Sequence, residues 1–291
     1  MRVATRAGLA DWIKSAWQYP LPQHAISRFT HWLTRLQHVG LKNWLIRAFI
    51  RRFNVNLDEA AVSDIAAYPT FNAFFTRALR PGARPVTAEP KAIACPVDGT
   101  LSQLGLVTDE RVIQAKGRTF SLTELLGGDA VVARKFAAGA FATLYLSPRD
   151  YHRVHLPVDG TLLRMLHVPG RLFSVSPTTT RTVPRLFARN ERVAMIFDTA
   201  AGSMALVMVG ALNVGSIETV WAGEITPPRG YVLRSWDYLD NRLKLVKGAE
   251  LGRFNMGSTV ILLFAAGRTR WQRELAPGKI VHMGQRIGTL L

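Results

Sequence analysis

From about residue 85 onward the chain is written in short apolar runs closed off by turn formers, and that texture limits its fold more than any other feature. Ala142–Leu146, Val193–Phe197, Ala205–Val209 and Val260–Phe264 are each bounded by Gly, Pro, Asp or Asn. Runs of this length with such borders read as β-strands. Ala200-Ala201-Gly202-Ser203 suits the turn of a hairpin between two of them. The tail spaces glycines at 248, 252, 257, 267, 278, 284 and 288 between further β-like segments. A compact antiparallel sandwich or barrel accommodates that pattern. One short helix is predicted at Ser121–Leu126, where Ser121 followed by Glu124 makes a capping box.

Residues 1–53 read differently, and hold Trp12, Trp17, Trp32 and Trp44 out of seven tryptophans in the chain. Ile26, Phe29, Leu33 and Leu36 recur at helical spacing with Arg28, Thr34 and Arg35 between them. Leu41, Trp44, Leu45, Ala48 and Phe49 repeat the pattern beside Lys42, Arg47, Arg51 and Arg52. Both stretches predict amphipathic helices. Tyr19-Pro20-Leu21-Pro22 separates them from a short leading helix. Two arrangements fit: a helical layer packed on the protein's own core, or helices lying among lipid headgroups with their aromatic side inward to the membrane. The expected fold class is therefore α+β, with N-terminal amphipathic helices over residues 1–60 and a mostly antiparallel β-sandwich or barrel-like catalytic core over 61–291.

Lys and Arg total 37 against 20 Asp and Glu, a net charge of +17. Such an excess calls for a polyanionic partner, either nucleic acid or an anionic lipid surface. No run reaches the roughly 18 to 20 apolar residues of a spanning helix, and no secretory signal is expected at the N-terminus. Cys95 is the sole cysteine, so no internal disulfide is expected. It reads as a small buried residue rather than a nucleophile.

Chemistry concentrates in two places. Tyr151-His152-Arg153-Val154-His155 holds two of the seven histidines. A helix would set both imidazoles on one face, and an extended segment on opposite faces. His167 is the only near candidate for a third metal ligand and no Cys or carboxylate cluster joins it, so no metal site is expected. Acid–base work fits imidazole better, although two structural histidines fit the segment equally. The second place is Gly257-Ser258-Thr259, which matches neither a nucleophile elbow nor a phosphate loop. An internal echo, Pro96–Leu101 against Pro157–Leu162, supplies Asp98 and Asp159 in identical Pro-Val-Asp-Gly-Thr-Leu contexts. Spacing alone does not choose between these acids.

Taken in order, the blocks resemble the bacterial phosphatidylserine decarboxylases over nearly the whole chain. Phe74–Pro85, Pro96–Gly99, Gln114–Gly117, Tyr151–Gly160, Leu172–Val175 and Asn190–Val193 each look like a family segment. Val209–Ala211, Val214–Ile217 and Lys247-Gly248 follow before the Gly-Ser-Thr site. Met256 stands where the family usually has Leu, and Ala249 and Ser176 where relatives often have Glu and Asn.

The resemblance implies a proenzyme cut between Gly257 and Ser258 into a long chain, 1–257, and a short chain, 258–291. It implies that Ser258 becomes a pyruvoyl cofactor, the electron sink for decarboxylation of phosphatidylserine to phosphatidylethanolamine. By motif, His155 is the base, Asp98 its orienter and His152 the acid that reprotonates the product, with Asp159 left as a turn former. Expected partners are phosphatidylserine and anionic membrane lipids, and the chain's own cleaved half. A homodimer of such heterodimers is allowed, and nucleic acid is not expected. Peripheral attachment to the cytoplasmic face of a bacterial membrane follows. The alternative is a serine hydrolase using Ser258, His155 and Asp98 without self-cleavage.

Overall fold

The computed structural model describes residues 8–212, 216–226, 232–240, 242–256 and 258–291. Three helices open the chain: α1 (Leu9–Ala16), α2 (Gln23–Leu33) and α3 (Val39–Phe53). His38 caps α3 by accepting the Leu41 amide, and Asn54 closes it in the left-handed conformation at φ 54°. A short helix, α4 (Phe71–Phe75), starts at Thr70, whose hydroxyl accepts the Ala73 amide. α3 and α4 share an aromatic core of Ile46, Tyr68, Phe71, Phe74 and Phe75.

A nine-stranded antiparallel sheet forms the body. Its middle strand, Thr259–Phe264, pairs with Ala140–Tyr145 on one side and Gly202–Val209 on the other. Arg192–Thr199 and Gly202–Val209 make the expected hairpin, turning at Gly202 with φ 79°. The sheet is an open one ending at Arg234–Asp237 and Ile280–Val281, and closes into no barrel among the described residues.

Both faces of this sheet are covered, which explains why its strands read as continuous apolar runs rather than alternating ones. Val193, Met195 and Phe197 enter one core; Ala194 and Ile196, between them, enter the other. The first core is closed by two smaller sheets, contributing Val154, Leu251, Phe254, Ile93 and Ile287. The second is closed by short helices and the hairpin carrying Val112 and Phe120. One of those helices, Leu122–Leu125, begins where the capping signal placed it, with Ser121 Oγ accepting the Thr123 amide. Cys95 is buried in the first core, where burial pushes its thiol up to about 12.

The N-terminal helices reverse the usual burial. α1 buries Ser15, and α2 buries Gln23 and Ser27. Facing outward are Trp17 (54% exposed), Phe29 (59%), Trp32 (55%) and Trp44 (60%). Polar side chains fasten this layer to the body instead. Gln23 Oε1 accepts the Leu172 amide at 2.9 Å, Gln18 Oε1 accepts that of Ser174 at 2.8 Å, and Arg181 pairs with Asp11 at 3.0 Å. α3 buries even a lysine. Lys42 Nζ donates to the carbonyls of Tyr68 (2.6 Å), Ala66 (3.2 Å) and Ile65 (3.3 Å), which satisfy the ammonium's three hydrogens. Of the two arrangements open at the sequence level, an apolar side turned inward onto the protein's own core is the one the exposed rings of α1 and α2 argue against.

Candidate active site

Ser258 stands immediately before the central strand, fully buried. Its carbonyl accepts the Leu146 amide at 2.9 Å, which locks its backbone to the neighbouring strand. Its hydroxyl has no hydrogen-bond partner among the described residues. A buried hydroxyl normally finds a partner, and leaving one orphaned costs about 1–3 kcal/mol. Gly257 lies outside the described residues, as do Val214 and Gly215. Met256, just upstream, has φ 151°, a backbone conformation that side-chain-bearing residues rarely adopt. The approach to it is pinned by Asn255, whose amide donates to the Ser216 carbonyl at 2.9 Å and whose Oδ1 accepts from Asn72 at 3.0 Å.

The two histidines lie on an extended segment. Arg153–His155 pairs with Glu250–Phe254, and the Phe254 amide donates to the His152 carbonyl at 3.0 Å. Arg153 anchors this ribbon through Glu250 (2.9 Å) and the Thr76 carbonyl (2.9 Å). The imidazoles accordingly have separate environments. His152 packs on Phe75 with ring centroids 4.2 Å apart, and its Nδ1 bonds the Asp150 carbonyl at 2.7 Å. A carbonyl only accepts, so Nδ1 carries the hydrogen and Nε2 is left as a lone pair. That Nε2 is buried without a partner among the described residues. Burial pulls the ring down to about 3, helped by the nearby Arg77 charge, so it is neutral near pH 7.

This shift has a stability consequence whose sign is fixed. Between the unfolded value of about 6.5 and the folded value of about 3, the unfolded chain binds a proton that the folded one refuses. Stability is therefore fully present above pH 6.5 and falls as pH drops through that window, by at most about 1.4 kcal/mol per pH unit. His152→Gln is expected to flatten this slope, read from urea unfolding between pH 4.5 and 7.5; an unchanged slope would show that His152 does not carry it.

His155 is held in the same tautomer. Its Nδ1 donates to the Gly248 carbonyl at 2.8 Å, and its Nε2 accepts from the Tyr151 hydroxyl at 3.0 Å. Tyr151 remains protonated, because burial pushes it up to about 12. Burial lowers His155 as well, opposed chiefly by the Gly248 carbonyl.

Asp98 is in the neighbourhood but touches another partner. Its segment joins the histidine ribbon through the Pro96 carbonyl, which accepts the His155 amide at 2.8 Å. No hydrogen bond joins the Asp98 carboxylate to His155 among the described residues. Instead Oδ1 accepts from Arg84 Nε (2.9 Å) and the Met283 amide (2.8 Å), and Oδ2 from Arg84 Nη2 (2.7 Å). That bidentate bond raises the Arg84 guanidinium. Asp98 reaches His155 only through its charge, which favours the imidazolium. Asp159, the echo, accepts the Lys247 amide at 2.6 Å, a long-range bond that ties its loop to the one carrying Gly248.

A cavity of about 400 Å³ opens beside these groups, lined by Phe49, Phe53, Phe75, Tyr145, Leu146, Pro148, Ser174, Val175, Ala211 and Met256, among others. Leu146 holds the Ser258 carbonyl and Phe75 covers His152, so one apolar chamber adjoins both. Sequence reasoning missed Arg84, Tyr151 and the Gly248 carbonyl as partners of the named residues. Tyr151 sits in the histidine segment and Arg84 in the Phe74–Pro85 block of the resemblance, whereas Gly248 was legible as a family glycine and not as an acceptor.

Comparison with known proteins gives one answer. The family model described as phosphatidylserine decarboxylase matches residues 71–289, and a second, described as PSD, matches residues 13–54. The chain is 57% identical over 272 residues to the phosphatidylserine decarboxylase proenzyme of Methylococcus capsulatus, covering 94% of each chain. It is 59% identical to that of Alkalilimnicola ehrlichii, covering 93% of this chain and 92% of the relative. For the same-named protein of Bordetella pertussis the identity is 56% over 280 residues, with 95% and 94% covered.

Proposed function

The chain belongs to the phosphatidylserine decarboxylase family and is a decarboxylase, and from that premise we propose that it cuts itself between Gly257 and Ser258 and then decarboxylates phosphatidylserine at a membrane surface. The observation that carries this reading is the orphaned, buried hydroxyl of Ser258 beside an apolar chamber. A structural serine there would be better replaced by alanine.

In the cut, the Ser258 hydroxyl attacks the Gly257 carbonyl, and the peptide bond gives way to an ester. Elimination removes the Ser258 Cα proton to a base as the Cβ–Oγ bond breaks, so Gly257 leaves as a carboxylate and residue 258 is left as a dehydroalanine. Water then replaces its nitrogen, which departs as ammonia. The His155 Nε2 lone pair, now bonded to Tyr151, is the acceptor for the serine proton. The Gly248 carbonyl orients that ring, and the Asp98 charge favours the imidazolium from its seat on Arg84.

A pyruvoyl group keeps the carbon skeleton of Ser258, so it needs no extra room, and it would displace no hydrogen bond of the hydroxyl. In place, it supplies the electron sink for loss of carbon dioxide. His152 is neutral near pH 7, so its Nε2 lone pair first takes the proton that the substrate ammonium sheds on joining the cofactor, and then returns it to the α-carbon. The chamber wall of Phe49, Phe53 and Phe75 excludes water and accepts apolar substrate.

The attachment is peripheral, to the cytoplasmic face of a bacterial membrane, with the outward tryptophans of residues 1–60 at headgroup depth. No helix among the described residues is long and apolar enough to cross a bilayer. Intact mass of the purified protein under denaturing conditions tests the reading. Pieces 1–257 and 258–291 are expected, the second lacking a free amine. A single uncut chain that still decarboxylates would overturn it.

A further inference from the structure

A second cavity, of about 700 Å³, lies apart from the one beside Ser258. It lies where the start of α2 meets the loop Pro169–Arg171, and its lining includes His24, Arg28, Arg171 and Arg189 with no Asp or Glu. Three guanidiniums around one concavity repel one another, and an anion placed among them offsets that repulsion. Two of them are nonetheless held in place. Arg189 lies over the rings of Tyr19 (5.8 Å) and Phe173 (5.2 Å), and Arg171 over Phe173 (5.4 Å). Arg171 also donates to Gln23 Oε1 (3.2 Å) and the Tyr19 carbonyl (2.8 Å). None of the three arginines makes an ion pair within the described residues, whereas Arg35, Arg84, Arg153, Arg164 and Arg181 all do.

We propose that this cleft is a second lipid site, which binds the phosphate of an anionic headgroup belonging to a membrane lipid other than the substrate. Pre-positioned guanidiniums match phosphate oxygens in pairs. The cleft's own helix exposes Phe29 and Trp32 next to Arg28, and Trp17 lies just before Tyr19. That fringe sets the cleft at headgroup depth, which identifies a lipid rather than a free ion as the occupant. The site is also linked to the catalytic chamber. Gln23, on the cleft, holds the Leu172 amide, Gln18 holds that of Ser174, and Ser174 and Val175 line the chamber. A headgroup in the cleft therefore steadies one wall of the chamber while it docks the enzyme.

The inference rests on the membrane-surface reading, and flotation of the full-length protein separates the two. Vesicles of phosphatidylcholine, with and without phosphatidylglycerol, are compared for wild type, Arg171→Gln/Arg189→Gln, and the control Arg47→Gln/Arg51→Gln on α3. The cleft pair is expected to lose roughly tenfold more affinity for phosphatidylglycerol vesicles than the control pair of equal charge. Equal losses in both pairs would reduce the cleft to diffuse attraction and overturn the proposal. So would an inorganic phosphate-induced rise in melting temperature that disappears in the cleft pair while vesicle binding is unchanged. If the cleft pair does not fold, Arg28→Gln against Arg47→Gln carries the same comparison from an exposed helix surface. A wild type that floats with neither vesicle would instead sink the membrane reading itself.

Discussion

Ser258→Ala is expected to yield one uncut chain of 291 residues with no measurable decarboxylase activity and an intact fold. The substitution removes the attacking oxygen and, with it, the carbon-bound oxygen whose loss creates the cofactor, so no slower route remains through neighbouring residues. It also removes an atom with no hydrogen-bond partner among the described residues. Deleting a bonded hydroxyl would orphan its partner, but here nothing is orphaned. Unfolding free energy should stay within about 1 kcal/mol of the uncut wild-type proenzyme, the like-for-like reference, or rise slightly. Denaturing mass, headgroup assay and urea unfolding on one sample therefore distinguish lost chemistry from lost structure. Normal activity in this variant would end the pyruvoyl mechanism.

The two histidines are expected to separate in the same assays. His155→Ala should slow self-cleavage by roughly 10²–10⁴-fold, the usual worth of a positioned base, and leave mostly full-length chain. His152→Ala should be cut normally yet decarboxylate roughly 10²–10⁴-fold more slowly, because its ring packs on Phe75, which lines the chamber. The difference follows from their surroundings: His155 is bonded at both nitrogens, His152 at one. A His152→Ala enzyme with wild-type turnover would remove that residue from the reaction, and a His155→Ala chain that cuts at the normal rate would transfer the base to another group.

Much of the fold was legible because local signals agreed with tertiary ones. The four apolar runs became strands of the central sheet, and the Ala-Ala-Gly-Ser turn and the Ser121 cap appeared at the predicted positions. The sandwich or barrel expectation was looser than the outcome. Glycine spacing reports turns, but not whether helices or strands cover a second face, and here the two faces have different covers. Amphipathic spacing gave α2 and α3 without their orientation, since the period is the same whichever side is buried. At the site, residue types were readable and partners were not. Asp98 and His155 both suited a relay, yet the carboxylate is taken by Arg84, 14 positions earlier in the chain. The orienting group at His155 is the backbone carbonyl of Gly248, a glycine held at φ 85° against Val86, whose identity hints at the backbone conformation but not at the bond it accepts.

The placement of Thr259–Phe264 has a consequence for the molecularity of folding. This strand is flanked on both sides within the sheet, and the strands after it also pair with earlier residues: Arg286–Leu290 with Ala92–Ala94, and Ile280–Val281 with Gly99–Leu106. A cut before Ser258 leaves every one of these pairings intact, so the short piece remains threaded through the body without a covalent tether. Assembly is unimolecular for the uncut chain and bimolecular ever after. A mature molecule that unfolds can return only at a rate set by concentration, and its midpoint of unfolding becomes concentration-dependent. On the self-cleaving reading, each chain thus has one easy opportunity to fold, and it comes before the bond is broken.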